Sequence, residues 1–384
     1  MRRDEVIVIG AGIAGGVMAR RLAEDRGLKI RMIERRDRPA GNARDHLDEH
    51  GIRVQDYGPH IFHTSDERVW QWITRFCEPV HFRPTTAAVV DGITTPSPFN
   101  FRTVDQFYDP ETAERLKAKM LATWPGQPSV PVPEALRAED EEIRWFAEFL
   151  FEKDFRPYTA KQWNLSPEKI DPSVLGRVPI LLSYADRYTD KYQFVPRDGF
   201  SAFYARMIDH PGITLETGTD ALPHLTLEEE SGRVLWDGEE RTVIFTGALD
   251  ALCGFRFGVL PYRTMRFETE SLQRESFQEA AVVAYPQAEG YTRITEYTKL
   301  PPQEGHGWTA IVREYPGSYD PWQGNEPYYP VLTEDSRETA GRYMEWTKRF
   351  RGLTLCGRLA EFRYLEMDQV IADALEKTDV WRAD

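Results

Sequence analysis

The order of apolar and polar positions divides the start of the chain into two short strands and one helix. Residues 6–9 read Val-Ile-Val-Ile and lead into a glycine-rich turn, and a second apolar-rich run occupies residues 29–33. Between them, residues 13–26 have the length and composition of a helix. This order predicts a parallel βαβ unit with a right-handed crossover.

The periodicity changes along the rest of the chain. Residues 105–171 have a mainly helical pattern, in which Asp109 followed by proline predicts a helix start. Residues 262–315 alternate in the manner of antiparallel strands, and residues 353–358 again run as a strand into glycine before a predicted helix over 367–376. The return of the strand–glycine–helix order predicts one nucleotide-binding domain that is built from both ends of the chain, with two units inserted.

The glycines of the first turn carry the most specific chemistry. Gly10, Gly12 and Gly15 form Gly-x-Gly-x-x-Gly, and Glu34 ends the second apolar run. In this pattern the first glycine allows a tight turn, the second lets the backbone approach a pyrophosphate, and the third lets the helix pack on the strand. Glu34 can accept a ribose hydroxyl, and the helix N-terminus favours phosphate. We therefore expect a bound ADP-containing cofactor, the alternative being a tight turn without a ligand.

Composition excludes several classes of partner. The 384 residues carry a net charge of −14 and no long basic run, which argues against nucleic acid and acidic membrane surfaces as partners. An anionic ligand must then be bound by a few local arginines. The 17 Tyr and 10 Trp suit a pocket that stacks rings as well as a core.

Cysteine usage and the N-terminus predict a cytoplasmic, soluble protein. Cys77, Cys253 and Cys356 are far apart and form no zinc spacing, so buried thiols in a reducing compartment are expected. Asp4 and Glu5 interrupt the stretch that would otherwise resemble a signal peptide, and this stretch is too short to span a membrane.

Eight short stretches, in order along the whole chain, resemble one family. They are residues 58–64, 96–100, 158–163 (Tyr-Thr-Ala-Lys-Gln-Trp), 177–179, 190–193, 291–294, 326–330 (Glu-Pro-Tyr-Tyr-Pro) and 357–361. Together they are similar to the prokaryotic type of flavin-dependent UDP-galactopyranose mutase. The two quoted motifs are far more specific than the glycine pattern.

The resemblance implies a fold and a reaction. The fold class would be α/β, with a Rossmann-type FAD-binding domain, an inserted helical domain and an antiparallel sheet domain. The enzyme would interconvert pyranose and furanose forms of UDP-galactose, with no net redox change, by attack of reduced flavin N5 on the anomeric carbon. It would use FAD in the reduced state, bind a nucleotide diphosphate sugar and form a homodimer.

The expected domains are discontinuous. The segments assigned to the FAD-binding domain are 1–80, 195–250 and 330–384. The helical domain is expected over 103–175. The segments assigned to the sheet domain are 81–102, 176–194 and 251–329.

The resemblance also implies three sets of site residues. The catalytic set, which includes two arginines that clamp the diphosphate, is Arg177, Arg293, His63, Tyr364 and Glu366. The substrate-binding set is Tyr158, Thr159, Trp163, Tyr188, Tyr328, Phe155 and Asn100. The cofactor-binding set is Gly10, Gly12, Gly15, Glu34, Arg35, Gly41, Asn42, His60, Gly357 and Arg358. No metal is expected. The alternatives are an ordinary salt bridge for the arginines, a core or rim position for the tyrosines, and a hydrogen-bonded loop position for the histidines.

Four positions depart from the family pattern. Ala40 replaces a glycine after the second strand, Pro157 replaces a glycine, Asp154 replaces an aromatic residue, and Glu366 replaces an aspartate near the sugar. These changes leave open whether the base is uracil or thymine, and whether the sugar is galactose or a 6-deoxy relative.

Two other functions remain open from the sequence. An amine-oxidase-like flavin oxidoreductase would share the glycine pattern, but the tyrosine and arginine set suits a diphosphate better than an amine. A nucleotide-sugar binding protein without catalysis would bind the substrate and show no turnover.

Overall fold

The computed structural model describes residues 5–163, 179–185 and 190–381. The helices within these ranges are α1 (Ile13–Arg26), α2 (Glu67–Ile73), α3 (Phe101–Phe107), α4 (Pro110–Thr123), α5 (Val132–Ala135), α6 (Glu141–Leu150), α7 (Arg156–Trp163), α8 (Gly199–Ile208), α9 (Leu249–Leu252), α10 (Glu334–Thr347) and α11 (Met367–Val380). The strands of the first half are β1 (Glu5–Ile9), β2 (Lys29–Ile33), β3 (Asp45–Leu47), β4 (Arg53–Gln55), β5 (Phe62–Thr64), β6 (Pro79–His81), β7 (Thr86–Val90), β8 (Ile93–Pro96), β9 (Ser129–Pro131), β10 (Pro179–Leu181) and β11 (Tyr192–Pro196). The strands of the second half are β12 (Ile213–Glu216), β13 (Leu225–Glu228), β14 (Arg233–Trp236), β15 (Glu239–Glu240), β16 (Thr242–Phe245), β17 (Tyr262–Leu272), β18 (Val282–Ala284), β19 (Arg293–Glu296), β20 (Thr309–Ser318), β21 (Tyr329–Pro330) and β22 (Leu353–Leu355).

A five-stranded parallel sheet in the order β12-β2-β1-β16-β22 forms the Rossmann-type part. Its central strand β1 is almost entirely buried, as expected for a parallel sheet that is covered on both faces. Helix α1 packs against α11 near the sheet, so the two predicted strand–turn–helix units lie side by side. The predicted α/β class and the predicted first βαβ unit are confirmed.

Two glycines make the first turn possible. Gly10 has a φ of +100°, and a Cβ there would lie 2.1 Å from Thr246 Oγ1. A Cβ on Gly15 would lie 2.1 Å from the carbonyl oxygen of Gly10, so only glycine lets α1 begin this close to the strand. The sequence pattern predicted these two functions, a tight turn at Gly10 and close packing of the helix on the strand at Gly15.

The larger sheet has seven strands in the order β21-β17-β20-β19-β18-β7-β8. The long pair β17 and β20 is antiparallel, as the alternating pattern of 262–315 predicted. The pairing of β18 with β7 is parallel, which the sequence did not predict. It arises because the hairpin of β7 and β8 comes from an earlier segment of the chain and joins the sheet edge.

The helical unit, α3 to α7, has its own apolar core. Asp109 caps α4 by accepting from the backbone N–H of Glu111 and Thr112, as predicted. Between α6 and α7, residues Phe151–Phe155 form a π-helical turn, which shifts the faces of α7 relative to those of α6.

Two properties of the described chain complete the fold. None of its helices combines the length and apolar character that are needed to cross a bilayer. The three cysteines are free and buried, as predicted, and burial raises the pKa of the Cys77 thiol to about 11.

Candidate active site

A deep cleft opens at the carboxyl ends of β1, β2 and β16, where doubly wound sheets bind nucleotides. Nine of the ten residues of the predicted cofactor set line it, namely Gly10, Gly12, Glu34, Arg35, Gly41, Asn42, His60, Gly357 and Arg358. The tenth, Gly15, lies behind the turn and serves the packing of α1. The structure therefore brings together residues that are more than 300 positions apart in the sequence.

The end of α1 that faces this cleft has no protein cap within the described chain. Its N-cap is Gly12, no side chain caps it, and its first turn holds no acidic residue. The first three N–H groups of a helix have no partner inside the helix. A Cβ on Gly12 would meet only the Cα of Gly41, at 3.8 Å. This arrangement fits the pyrophosphate of a dinucleotide.

Glu34 is fixed at the edge of the cleft by backbone groups. Its carboxylate accepts from the N–H of Ala11 at 2.7 Å and from the N–H of Arg36 at 2.9 Å. The side chain is nearly buried. A carboxylate has about four acceptor positions, so Glu34 keeps capacity for a ribose hydroxyl.

Arg36 is a cleft residue that the sequence did not single out. Its guanidinium donates to Asn42 Oδ1 at 3.0 Å, pairs with Glu326 and lies 4.3 Å from the ring centre of Tyr57. Arg35, which was predicted, is mostly exposed and reaches Glu326 only at 3.5 Å. Adjacent arginines after a β-strand point to opposite sides, and the motif alone gave no signal as to which one would be buried.

The second glycine turn brings Arg358 to the other end of the cleft. Its guanidinium donates to the carbonyl of Leu365, at 2.6 Å from Nη2, and lies 4.4 Å from the ring centre of Tyr329. Tyr329 in turn stacks on Tyr364, with ring centres 5.1 Å apart. No carboxylate in the described part of the chain pairs with Arg358, so its charge is available to an anionic ligand.

His60, just before β5, and His63, on β5, have opposite protonation tendencies. The Nδ1 of His60 donates to the carbonyl of Gly58 at 2.8 Å. Burial, together with the nearby charges of Arg358 and Arg293, lowers the pKa of His60 to about 4 against the opposing effect of this hydrogen bond. His60 is therefore neutral at neutral pH and adds no charge to the cleft.

His63 is held between two carboxylates. Its Nδ1 lies 3.1 Å from Asp190 and its Nε2 lies 3.2 Å from Glu366. Glu366 and Asp190 raise the pKa of His63 against the effect of burial. Glu366 is also the N-cap residue of α11, so this ion pair ties β5 to the start of that helix.

A group of tyrosines surrounds the predicted phosphate arginine Arg293. Tyr328 is buried and donates to the carbonyl of Tyr57. Tyr158 on α7 is close enough to Arg293 for the guanidinium charge to act on its hydroxyl, and burial raises the pKa of Tyr158 to about 12. A tyrosine with this pKa stays a neutral hydrogen-bond donor, which suits phosphate oxygens.

Arg293 is already engaged by a residue that the sequence analysis missed. Its Nε and Nη2 both donate to the carboxylate of Glu314, each at 2.7 Å. The predicted alternative, an ordinary salt bridge, is therefore present, and it leaves the terminal edge of the guanidinium for another acceptor. The partners are 21 positions apart, and the sequence gave no signal for this pairing.

Helix α7 is anchored against the sheet by Lys161. Its ammonium group donates to the carbonyls of Tyr285, Ala288 and Tyr291 at 2.6–2.9 Å. Burial lowers the pKa of Lys161 to about 8, although Asp154 opposes the shift. This contact fixes the helix that carries Tyr158 and the buried Thr159.

Two residues of the predicted substrate set occupy structural positions. Asn100 is buried, caps α3 by accepting from the N–H of Arg102, and donates to the carbonyl of Ala185. Phe155 is buried beside Phe99 in the core of the helical unit. Their contact with a substrate stays a prediction.

Three predicted residues cannot be located in full. Arg177 and Tyr188 lie outside the described residues. Trp163 ends α7, but its side chain is not among those described.

Comparison with known proteins identifies the family. A family model described as UDP-galactopyranose mutase matches residues 153–364, more than half of the chain, and a model of the NAD(P)-binding Rossmann-like domain matches residues 8–76. The chain belongs to the UDP-galactopyranose mutase family. It is therefore an enzyme, a nucleotide-sugar mutase of the isomerase class.

Two relatives of this mutase match at equal identity. A "Probable UDP-galactopyranose mutase" of Klebsiella pneumoniae is 32% identical over 99% of this chain and 95% of its own length. A "dTDP-fucopyranose mutase" of Escherichia coli is 32% identical over 97% of each chain. A solved structure of reduced UDP-galactopyranose mutase has a TM-score of 0.71 at 18% identity, over 98% of this chain and 93% of that one, which supports the fold.

Proposed function

We propose that this mutase interconverts the pyranose and furanose forms of UDP-galactose with FAD as its cofactor. The observation that carries the proposal is that an uncapped, glycine-lined helix end and Tyr328 line one cleft, while Tyr328 and Tyr158 both lie near enough to Arg293 to feel its charge. The first suits a dinucleotide, and the second suits the diphosphate of a substrate. Homodimer formation and a cytoplasmic location are carried into the proposal from the family resemblance.

The residues that would hold FAD are those of the cleft. The uncapped start of α1 with Gly12 and Gly41 would take the pyrophosphate, and Glu34 would take a ribose hydroxyl. Arg358 would face an anionic part of the cofactor or the substrate. When bound and reduced, the flavin supplies the nucleophile for the anomeric carbon.

The protein side chains would bind and orient the substrate. The terminal edge of Arg293 presents two parallel N–H donors, which match two phosphate oxygens. Tyr158 would donate from a neutral hydroxyl, and Tyr328, whose proton is given to the carbonyl of Tyr57, would line the site beside it. Arg177 and Tyr188 are proposed for the same diphosphate by family resemblance alone. Because His60 is neutral, it can orient a ligand without competing for the phosphate charge.

A dTDP-linked 6-deoxyhexose is the second candidate substrate. A dTDP-fucopyranose mutase is as similar to this chain as the Klebsiella relative is. In addition, Glu366 is drawn to His63, so this carboxylate is partly occupied at the place where the family has a shorter acid. A carboxylate held in this way would contribute less to binding a sugar 6-hydroxyl, which a 6-deoxy sugar lacks.

The test is a chromatographic assay of the purified holoenzyme with and without dithionite. UDP-galactofuranose, its 6-deoxy analogue and the corresponding dTDP sugars are offered separately. We expect pyranose product only under reduction, and fastest from UDP-galactofuranose. Faster conversion of a dTDP 6-deoxy sugar would select the second candidate.

The same assay separates the mutase from the other functions. An oxidoreductase would consume oxygen or NAD(P)H in proportion to the substrate, whereas a mutase would consume neither. A binding protein would retain the nucleotide sugar without converting it. Light scattering of the same preparation checks the proposed homodimer.

A further inference from the structure

Glu314 is sealed behind Arg293 in the wall of the site. The two residues are direct cross-strand partners, Arg293 on β19 and Glu314 on β20. The side chain of Glu314 is 2% exposed, whereas that of Arg293 is 33% exposed. The guanidinium therefore reaches the open side, and the carboxylate does not.

The hydrogen bonds define which donors of Arg293 remain. Glu314 takes the Nε proton and one Nη2 proton at equal distances of 2.7 Å. A guanidinium has five N–H donors in one plane, so three remain, two on Nη1 and one on Nη2. Two of these, one on Nη1 and one on Nη2, lie in parallel along the terminal edge, which can bind a second anion in a bidentate manner.

The pair is also neutral as a unit. Although burial opposes its charge, the Glu314 carboxylate keeps the pKa of Arg293 well above its ordinary value, so the guanidinium stays charged and its charge is offset by the carboxylate that it contacts. Arg358 has no such carboxylate in the described chain, and His60 is neutral. Among the three described residues Arg293, Arg358 and His60, the unbalanced positive charge therefore comes from Arg358, while Arg293 supplies oriented N–H donors rather than net charge.

We propose that Glu314 is a positioning residue that orients the terminal edge of Arg293 toward the diphosphate and weakens the binding of the free nucleotide diphosphate. This inference rests on the proposed function. In that reaction the nucleotide diphosphate leaves the sugar and later bonds to it again. A site that binds the departed diphosphate more tightly than the transition state raises the barrier to its return. An acid directly behind the arginine limits that excess affinity.

The deciding variant is Glu314→Gln, which keeps the size of the side chain and removes its charge. We expect the Kd of UDP for the oxidised holoenzyme to fall about tenfold, because the Arg293 charge is no longer balanced at short range. We expect kcat of the reduced enzyme to fall at least about tenfold, because an amide has one acceptor oxygen and places an NH2 donor where the second carboxylate oxygen accepts from Arg293. A purely structural role would weaken binding and turnover together.

A second variant, Glu314→Asp, separates the effect of the carboxylate charge from the effect of side-chain length. It keeps the charge, so the Kd of UDP should stay within about threefold, and it is shorter, so kcat should fall because the two-bond geometry is lost. If Glu314→Gln fails to retain flavin, Glu314→Asp tests the proposed role of Glu314 in its place. A change of more than about tenfold in its Kd for UDP would then overturn the inference.

The chain offers a matched control one position away. Glu270 on β17 pairs at 2.7 Å with Arg313, which is the residue before Glu314 on β20. Unlike Glu314, Glu270 is partly exposed. Glu270→Gln should leave both kcat and the Kd of UDP unchanged. Weaker or unchanged UDP binding in Glu314→Gln overturns the inference. If the wild type converts no nucleotide sugar but Glu314→Gln still binds UDP more tightly, the proposed function fails and the electrostatic role of Glu314 stands.

Discussion

The two ends of the site are built in different ways. The proposed nucleotide end is built, around the start of α1, from backbone groups, three glycines and one anchored acid that all lie within residues 10–34. The substrate end consists of side chains from α7, β19, β20 and the segment after β22, which meet only in the folded chain. A backbone site is sensitive to added atoms, whereas a side-chain site is sensitive to the loss of a charge or its partner.

The largest expected effect is at the nucleotide end. Gly12→Val should yield protein without flavin, because the branched side chain extends into the cleft where the pyrophosphate would lie. The ratio of flavin to protein absorbance measures the loss, which we expect to be nearly complete. Gly341→Ala is the control, because no atom lies within 4 Å of its added Cβ. A normal flavin spectrum for Gly12→Val would contradict the cleft assignment.

The next largest effect is expected at the substrate end, where a variant should lose turnover and still bind the cofactor. Arg293→Ala should lose at least about 99% of turnover, since one good bidentate donor contributes about 3 kcal/mol to a transition state. Flavin content should stay normal. The buried Glu314 is left without its partner, so the free energy of unfolding should also fall, by about 3 kcal/mol.

A double variant distinguishes the two losses. Arg293→Met with Glu314→Leu removes both charges and should recover most of the stability but none of the activity. Recovery of turnover in the double variant would show that Arg293 serves only to neutralise Glu314.

A smaller effect comes from the histidine pair. The pKa of His63 is raised, mainly by Glu366, so its stabilising contribution is full below the unfolded value of about 6.5 and is lost as the pH rises through the folded value. His63→Gln should lower the free energy of unfolding by about 1.5–3 kcal/mol at pH 6, and the difference should shrink at higher pH. Denaturant titrations at several pH values measure it. His224→Gln, which breaks the exposed pair with Asp237, should change stability by less than about 0.5 kcal/mol.

The smallest effect compares two neighbours at the nucleotide end. Arg36→Ala should speed flavin dissociation about tenfold, because this side chain holds Asn42 and Glu326 at the cleft. Arg35→Ala should change it by less than about twofold, since its side chain is mostly exposed. Equal rates of flavin dissociation in the two variants would contradict a specific role of the buried Arg36 in holding the cofactor.

These two ends also differ in what the sequence revealed. The first βαβ unit, the functions of Gly10 and Gly15 and the Asp109 cap follow from local rules, and the structure confirms them. The pairing of Arg293 with Glu314 and the choice between Arg35 and Arg36 depend on strand register and burial. No local pattern encodes those, so the sequence alone could not predict them. The family resemblance located Tyr158 and Tyr328 but not the charges around them.

The packing of α1 against α11 has a consequence for synthesis. Arg21 of α1 pairs with Asp379 of α11, and the two helices share one apolar core. A ribosome adds about 5–20 residues per second, so α1 would wait roughly 20–70 s for its partner helix to be made. During that interval the glycine turn exists without one wall of its cleft. We therefore expect capture of the proposed flavin to follow the synthesis of α11.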